Sequence, residues 1–573
     1  MKKMIKISID FAIPILLTGG IILSGLFEQT ITMCGVVKGL VLGKCDEGIT
    51  SQGLKDVKVV AEYTWLGLGQ FYLNRSVEDD IEILKELKTD WVYLGFRYKL
   101  PVPYSPFEEP DFFNEIEIKE AERRGYTLLQ LKEAIEKLHQ EMPDTLFTGG
   151  LGIEFFYSKD RDPITGEIIN ASKAWKMALD PQEYGFSISK EEFQCWWAKK
   201  MGWLAPDFDC SQYDYRKVKG YFPDINKEEV RELYLHKAMK LIDCGVDVVW
   251  IDLLHMQAIR FYEMSQDINH PAIGQTFESI SKLVDEIREY GLSKGKYVYI
   301  GSWAPLIRND EDILIPPFTL PAYDYVVVSP SSKEVLSKKL YEEEWKKVFL
   351  MLREYMGENI VILMRFDLGY KNSPMHMFSQ KLSPEEQKEF LRYIDTFLRK
   401  NNVLFSYPVF GLDMGPWEKG EEKVLSWEDI CWETLTGQSG CGFPFYDSLA
   451  PEFQTYETIV ELAENRAQGK PLVSIERPSN YLYVLDKEIF PLKMPIIIGK
   501  ITVTADARDE DGISKVEFYI DDVLKFTDHD KPYSWLWNEF AIGRHEIKVV
   551  VHDDEGNKAQ DEIDVVIFNL GGK

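Results

Sequence analysis

Asn226-Lys-Glu-Glu-Val-Arg-Glu-Leu-Tyr-Leu-His-Lys-Ala-Met-Lys-Leu-Ile-Asp-Cys-Gly-Val-Asp-Val-Val-Trp-Ile-Asp252 reads as a helix that feeds directly into a strand. Apolar residues recur at three- and four-residue spacing as far as Cys244, and Gly245 ends the helix. The run from Val246 to Ile251 is short and apolar, and it stops on a carboxylate, Asp252. A helix followed at once by a buried strand is half of a βαβ repeat, so the segments on either side decide the fold.

Eight strand-like runs can be counted: Val57–Tyr63, Trp91–Phe96, Thr145–Gly152, Val246–Ile251, Lys296–Ser302, Tyr323–Val328, Ile360–Phe366 and Val403–Pro408. Helical patterns separate several of them, at Val77–Leu87, Leu128–Gln140, Gly274–Tyr290, Tyr341–Met356 and Pro384–Lys400, and Thr455–Gln468 packs late. Strands alternating with helices imply a parallel sheet, and eight of them imply a closed barrel. The expectation is an α/β chain with a (β/α)8 TIM barrel over residues 51–470, followed by a small all-β Ig-like sandwich. Phe155 to Asn226 interrupts the rhythm and carries Trp175, Trp196, Trp197, Trp203, Tyr213, Tyr215 and Tyr221. An insertion after a barrel strand lies over the mouth. Its aromatics either shape a substrate site or form the core of a self-packed subdomain.

After Pro471 the texture changes. Residues 471–494 read as a connecting segment or a strand pair, and short alternating strands joined by Asp- and Gly-rich loops fill 495–573. Ile513-Ser-Lys-Val-Glu-Phe-Tyr-Ile-Asp-Asp-Val-Leu-Lys-Phe526, Pro532-Tyr-Ser-Trp-Leu-Trp-Asn538 and Gly543-Arg-His-Glu-Ile-Lys-Val-Val-Val-His-Asp553 resemble the bacterial Ig-like domains attached to secreted hydrolases. That resemblance implies a spacer, a stabiliser of the neighbouring domain or a glycan binder. Asp506, Asp509 and Asp511 in one loop, and Asp553, Asp554 and Glu555 in another, are oxygen donors for a structural calcium or else solvated turns.

The run Gly245-Val-Asp-Val-Val-Trp-Ile-Asp252 resembles the fourth βα unit of barrel glycoside hydrolases. The resemblance implies that Asp252 is a nucleophile or a transition-state stabiliser. Glycoside hydrolysis needs two carboxyl groups flanking the scissile bond. Other acids at strand tips are Glu62, Glu154, Asp367 and Asp413. In barrel glycosidases with a fourth-strand Asp, the acid/base commonly comes from the fifth or sixth strand. Here those strands end in Ile300-Gly-Ser-Trp303 and Val328-Ser-Pro330, with no acid, so the family's mechanism does not carry over whole. The general acid/base is then Glu154, in an apolar and aromatic setting, or Asp367, which shares strand parity with Arg365. Substrate-binding candidates at the mouth are Trp65, Arg97, Tyr98, His255, Trp303, Arg365, Tyr407 and Asp413. A carbohydrate substrate is expected, with no cofactor and no catalytic metal.

Composition bounds the rest. A net charge of −28 argues against nucleic acid, whose phosphates are neutralised by Lys and Arg. Aromatic content of 13% suits rings that stack on sugars as well as a large core. Residues 1–50 open with Met1-Lys-Lys-Met-Ile-Lys and an apolar run from Phe11 to Phe27, the pattern of a signal peptide or membrane anchor. An extracellular or cell-surface protein follows, with cleavage left open. Of seven cysteines, Cys34 with Cys45, Cys195 with Cys210 and Cys431 with Cys441 are close enough in sequence to bridge, and Cys244 reads as a buried free thiol. No metalloprotease, P-loop or dinucleotide motif stands in its required context. The rival readings are a noncatalytic glycan-binding or cell-surface protein on a glycosidase-like barrel, and a metal-dependent amidase.

Overall fold

The computed structural model describes residues 53–571 apart from 65, 67–74, 99–127, 309–312, 369–371, 414–424, 427–430, 434–438, 442–443, 510–511 and 555. The expected leader, with Cys34 and Cys45, lies outside the described residues, as does Trp65. No helix among the described residues is long and apolar enough to cross a membrane.

Eight strands form the barrel: β1 Val60–Tyr63, β2 Trp91–Tyr98, β3 Leu146–Gly152, β4 Val248–Asp252, β5 Tyr299–Trp303, β6 Tyr325–Val328, β7 Val361–Met364 and β8 Leu404–Asp413. Each pairs in parallel with the next, and β1 pairs in parallel with β8, so the sheet closes. Helices such as Glu228–Asp243, Pro271–Ser293, Glu342–Met356 and Pro384–Lys400 cover it. Their ends follow local chemistry. Ser383 caps the last of these through the Glu386 amide, Glu386 answers through the Ser383 amide, and Pro384 takes the first helical position. Gly245 turns the chain out of its helix at φ +103°, in the left-handed region that favours glycine.

The strand period of two divides the core. Val59, Ala61, Phe147, Val249, Ile251, Ile362 and Phe405 pack outward against helices, while Val60, Trp91, Tyr93, Val248, Trp250, Tyr325, Val327 and Leu363 fill the lumen. Gly301 faces the lumen because a Cβ there would lie 2.5 Å from the Tyr325 ring. Edge-on contacts of Trp91 with Tyr325 and of Tyr93 with Trp250, at centroid distances of 4.9 and 5.6 Å, plug the barrel. Within this plug Trp91 Nε1 donates to Thr148 Oγ1 at 2.6 Å, and the acids Glu62 and Asp252 stand above it, toward the C-terminal ends of the strands.

The insertion packs on itself. Trp175 stacks on Tyr215, Phe155 meets Trp203 edge-on, and Phe193 and Trp197 both meet Phe222. Cys195 and Cys210 form a disulfide, and Cys244 is free and buried. Cys431 and Cys441 stand opposite each other on a short antiparallel pair, their side chains outside the described set.

The sandwich starts earlier than Pro495. Leu472–Arg477 pairs with Ile501–Arg508, and Tyr481–Val484 and Lys487–Pro491 join the seven-stranded sheet. Residues 471–494 therefore belong to it rather than connecting to it. Lys400 reaches Ser474 at 2.7 Å and Asp506 at 3.6 Å, and Arg399 donates to the Lys470 carbonyl. These groups lie at the C-terminal end of the helix that leads into β8. The sandwich thus joins the barrel face where strands begin, opposite the mouth.

Candidate active site

Asp252 ends β4 facing the lumen, since Trp250, two residues earlier, is part of the lumen core. Its Oδ1 accepts a hydrogen bond from Trp303 Nε1 at 2.8 Å. The tip of β5, bare of carboxylates, thus supplies an N–H that fixes one. Trp303 is held in turn by His255, whose Nε2 lies 3.1 Å from the Trp303 carbonyl oxygen. Burial pushes the His255 imidazole down to about 4, outweighing that hydrogen bond, so the ring is neutral and donates from Nε2 at physiological pH. Phe277 and Tyr323 pack against it. Between Asp252 and His255, Leu253 takes φ +57° with a branched side chain, a conformation that costs on the order of 1 kcal/mol and that surrounding packing must hold.

Glu154 stands on the neighbouring strand tip. Gly152 is the register partner of Asp252, and a Cβ on Gly152 would lie 2.8 Å from Glu154 Oε2. The Glu154 carboxyl is therefore folded back over the inner face of β3, in space open only because residue 152 has no side chain. Both carboxyl-bearing residues are 7% exposed, low enough for water to be scarce around them.

Arg365 and Glu62 form the third part. They meet across β8, with Arg365 Nη2 2.5 Å from Glu62 Oε1 and both side chains buried. The guanidinium lies 5.5 Å from the Tyr93 ring centre and 5.9 Å from that of Trp303. Burial pushes Glu62 up to about 7; Arg365 and the nearby Ser406 hydroxyl pull it down, and the charge of Asp367 pushes the same way as burial. Asp367 follows β7 close to this pair. Its amide donates to Ser329 Oγ at the tip of β6, and its Oδ1 accepts from the Leu368 amide. Arg365, expected to serve Asp367, is bound to Glu62, and the charge of Asp367 acts on the same guanidinium.

Asp252, Trp303, His255 and Arg365 thus converge at one mouth, with Glu154 and Asp367 beside them. Tyr407 does not join them. It faces the helical layer, where its hydroxyl donates to Asp395 at 2.7 Å beside Arg466, so its role is structural. Arg97, Tyr98 and Asp413 lie on barrel strands, with side chains outside the described set. Asp413 stands where β8 has left the barrel to pair antiparallel with Pro444–Asp447. Among the described residues, no three His, Cys, Asp or Glu side chains group as metal ligands.

Replacing Trp303 by Phe keeps the ring and removes the N–H from Asp252. A net hydrogen bond of about 1–1.5 kcal/mol is lost with it, and urea unfolding of the variant beside wild type reads that loss as lowered stability.

The site belongs to a closed parallel barrel with a buried carboxylate cluster at its C-terminal mouth. Residues 471–549 match the family model of the bacterial Ig domain. No curated protein matches the chain. Among solved structures, a Cellulomonas fimi modular endo-β-1,4-mannanase is similar at 10% identity, over 91% of this chain and 99% of that one, with a TM-score of 0.33. Eubacterium rectale Amy13B is similar at 10% identity over 86% and 84%, with a TM-score of 0.39. The Clostridium thermocellum CbhA fibronectin(III)-like modules are similar at 26% identity over 18% of this chain and 48% of that one, with a TM-score of 0.15. The chain thus spans about half the length of those modules.

Proposed function

We propose that the mouth of this barrel hydrolyses, or transfers, glycosidic bonds of an oligo- or polysaccharide outside the cell. The observation that carries this reading is the pair of buried carboxyl residues, Asp252 and Glu154, on adjoining strand tips, one fixed by an indole N–H. Two carboxyl groups flanking one bond are the minimum equipment for protonating a leaving oxygen while stabilising an oxocarbenium-like centre. Asp252, oriented through Trp303, is the nucleophile or charge stabiliser. Glu154, folded back over Gly152 of β3, is the general acid/base. Asp367 and the Glu62–Arg365 pair set the field beneath them. The leader-like N-terminus and the Ig domain support export, and no cofactor is needed for this chemistry.

The test is a panel of α- and β-linked glycans scored for new reducing ends. Wild type is expected to cleave at least one of them. Glu154→Gln should then lose about 10²–10⁴-fold on natural linkages. It should lose far less on aryl glycosides, whose leaving group departs without protonation. Binding without cleavage would sink the enzymatic reading in favour of a glycan-binding barrel.

A further inference from the structure

His255, expected to bind substrate, spends its contacts on protein. It is 5% exposed, and its Nε2 is engaged by the Trp303 carbonyl oxygen at 3.1 Å, with Tyr323 Oη 3.5 Å from the same nitrogen. Its Nδ1 is buried and has no hydrogen-bond partner among the described residues. A buried polar nitrogen without a partner costs free energy, so a ring selected for packing alone would be apolar here. The role of His255 therefore lies with the nitrogen that is engaged.

Strand pairing shows what that nitrogen replaces. β4 and β5 stay in register as far as Ile251 with Ser302. In a parallel ladder the next bond would run from the Leu253 amide to the Trp303 carbonyl. Leu253 instead takes φ +57°, and the pairing stops. The chain then returns over the tip of β5, where His255 Nε2 serves the carbonyl in place of that amide. Trp303 is thus held at both ends, its backbone by His255 and its indole N–H by Asp252 Oδ1 at 2.8 Å. Phe277 and Tyr323 flank the imidazole at ring-centre distances of 5.6 Å each and fix its orientation.

We infer that His255 is a positioning residue, which aims Asp252 by holding Trp303 against it. This rests on the reading of Asp252 as nucleophile or charge stabiliser. The imidazole acts through Trp303 and touches no reacting atom. What the site needs from residue 255 is an N–H for a carbonyl rather than acid–base chemistry. A glutamine, whose terminal amide also donates, meets that need.

The indole N–H signal of Trp303, in a proton–nitrogen correlation spectrum of the deuterated full chain, tests this. Its absence from Trp303→Phe assigns it. In wild type it is expected downfield, as for an N–H bound to a carboxylate. His255→Phe keeps a ring between Phe277 and Tyr323 but removes the donor. It should move the Trp303 signal upfield and, on a cleaved glycan, lower kcat about tenfold with KM little changed. His255→Gln should return both toward wild type. A Trp303 signal that His255→Phe leaves in place overturns the inference. So does a signal or turnover that His255→Gln fails to restore, which would make the histidine a packing group. The spectrum needs no substrate. A wild type that cleaves no glycan therefore sinks the enzymatic reading alone, and the Trp303 signal still decides whether His255 positions Asp252.

Discussion

Asp252→Asn is expected to lower glycan cleavage by about 10³-fold or more while leaving the fold intact. The substitution preserves shape, and the amide oxygen can still accept the Trp303 indole N–H, so the tip of β4 keeps its geometry. What disappears is the negative charge. In a site this buried, no water replaces it as the sugar develops positive charge, so the loss falls on turnover rather than on binding. Measurement of kcat and KM on a cleaved glycan, with circular dichroism to verify folding, separates the outcomes. A variant that cleaves as wild type does would move the chemistry away from β4, toward Glu154 with Asp367. A variant that loses binding and turnover together would make Asp252 a sugar-binding group.

Asp252 was legible from the sequence because its signal is local: an apolar strand that ends on an acid. The eight strands were legible for the same reason, and each expected run contains an observed barrel strand or overlaps it. Glu62 shows where local reading stops. It is visible as an acid at the end of β1, but its importance depends on closure of the barrel, which brings β7 within reach across β8. Nothing in the neighbourhood of Glu62 announces Arg365, roughly three hundred positions away. Tyr407 misleads for another reason. Val403-Leu-Phe-Ser-Tyr-Pro is apolar on both faces, so its alternation does not say which side turns inward. Only the lumen-facing Leu404 and the helix-facing Phe405 resolve the parity. The start of the sandwich at Leu472 was hidden likewise, because that strand's partner begins at Ile501.

The Glu62–Arg365 pair supports the second large effect, on stability. Arg365→Met is expected to destabilise the barrel by about 3–5 kcal/mol at alkaline pH, because removing one partner of a buried pair leaves the other's charge uncompensated. The pH dependence identifies the group responsible. In wild type, burial raises Glu62 from 4.5 to about 7, so the folded state holds its proton more tightly than the unfolded chain. That contribution to stability is complete below about 4.5, is lost as pH rises through about 7, and is flat above. Methionine removes the two influences of Arg365 that lower Glu62, leaving burial and Asp367 to push it higher still. Above about 7 wild type is then level while the variant keeps losing up to about 1.4 kcal/mol per pH unit. The deficit should therefore be constant between pH 5 and 6 and widen toward pH 9, as read by urea unfolding. Adding Glu62→Gln to Arg365→Met should abolish the widening, since neither residue then titrates. A deficit equal at pH 6 and 9 would mean that Arg365 acts through its packing on Tyr93 and Trp303, and that the charge of Glu62 is held by another group. Both outcomes bear on catalysis, because the guanidinium that neutralises Glu62 also lies against the indole that orients Asp252.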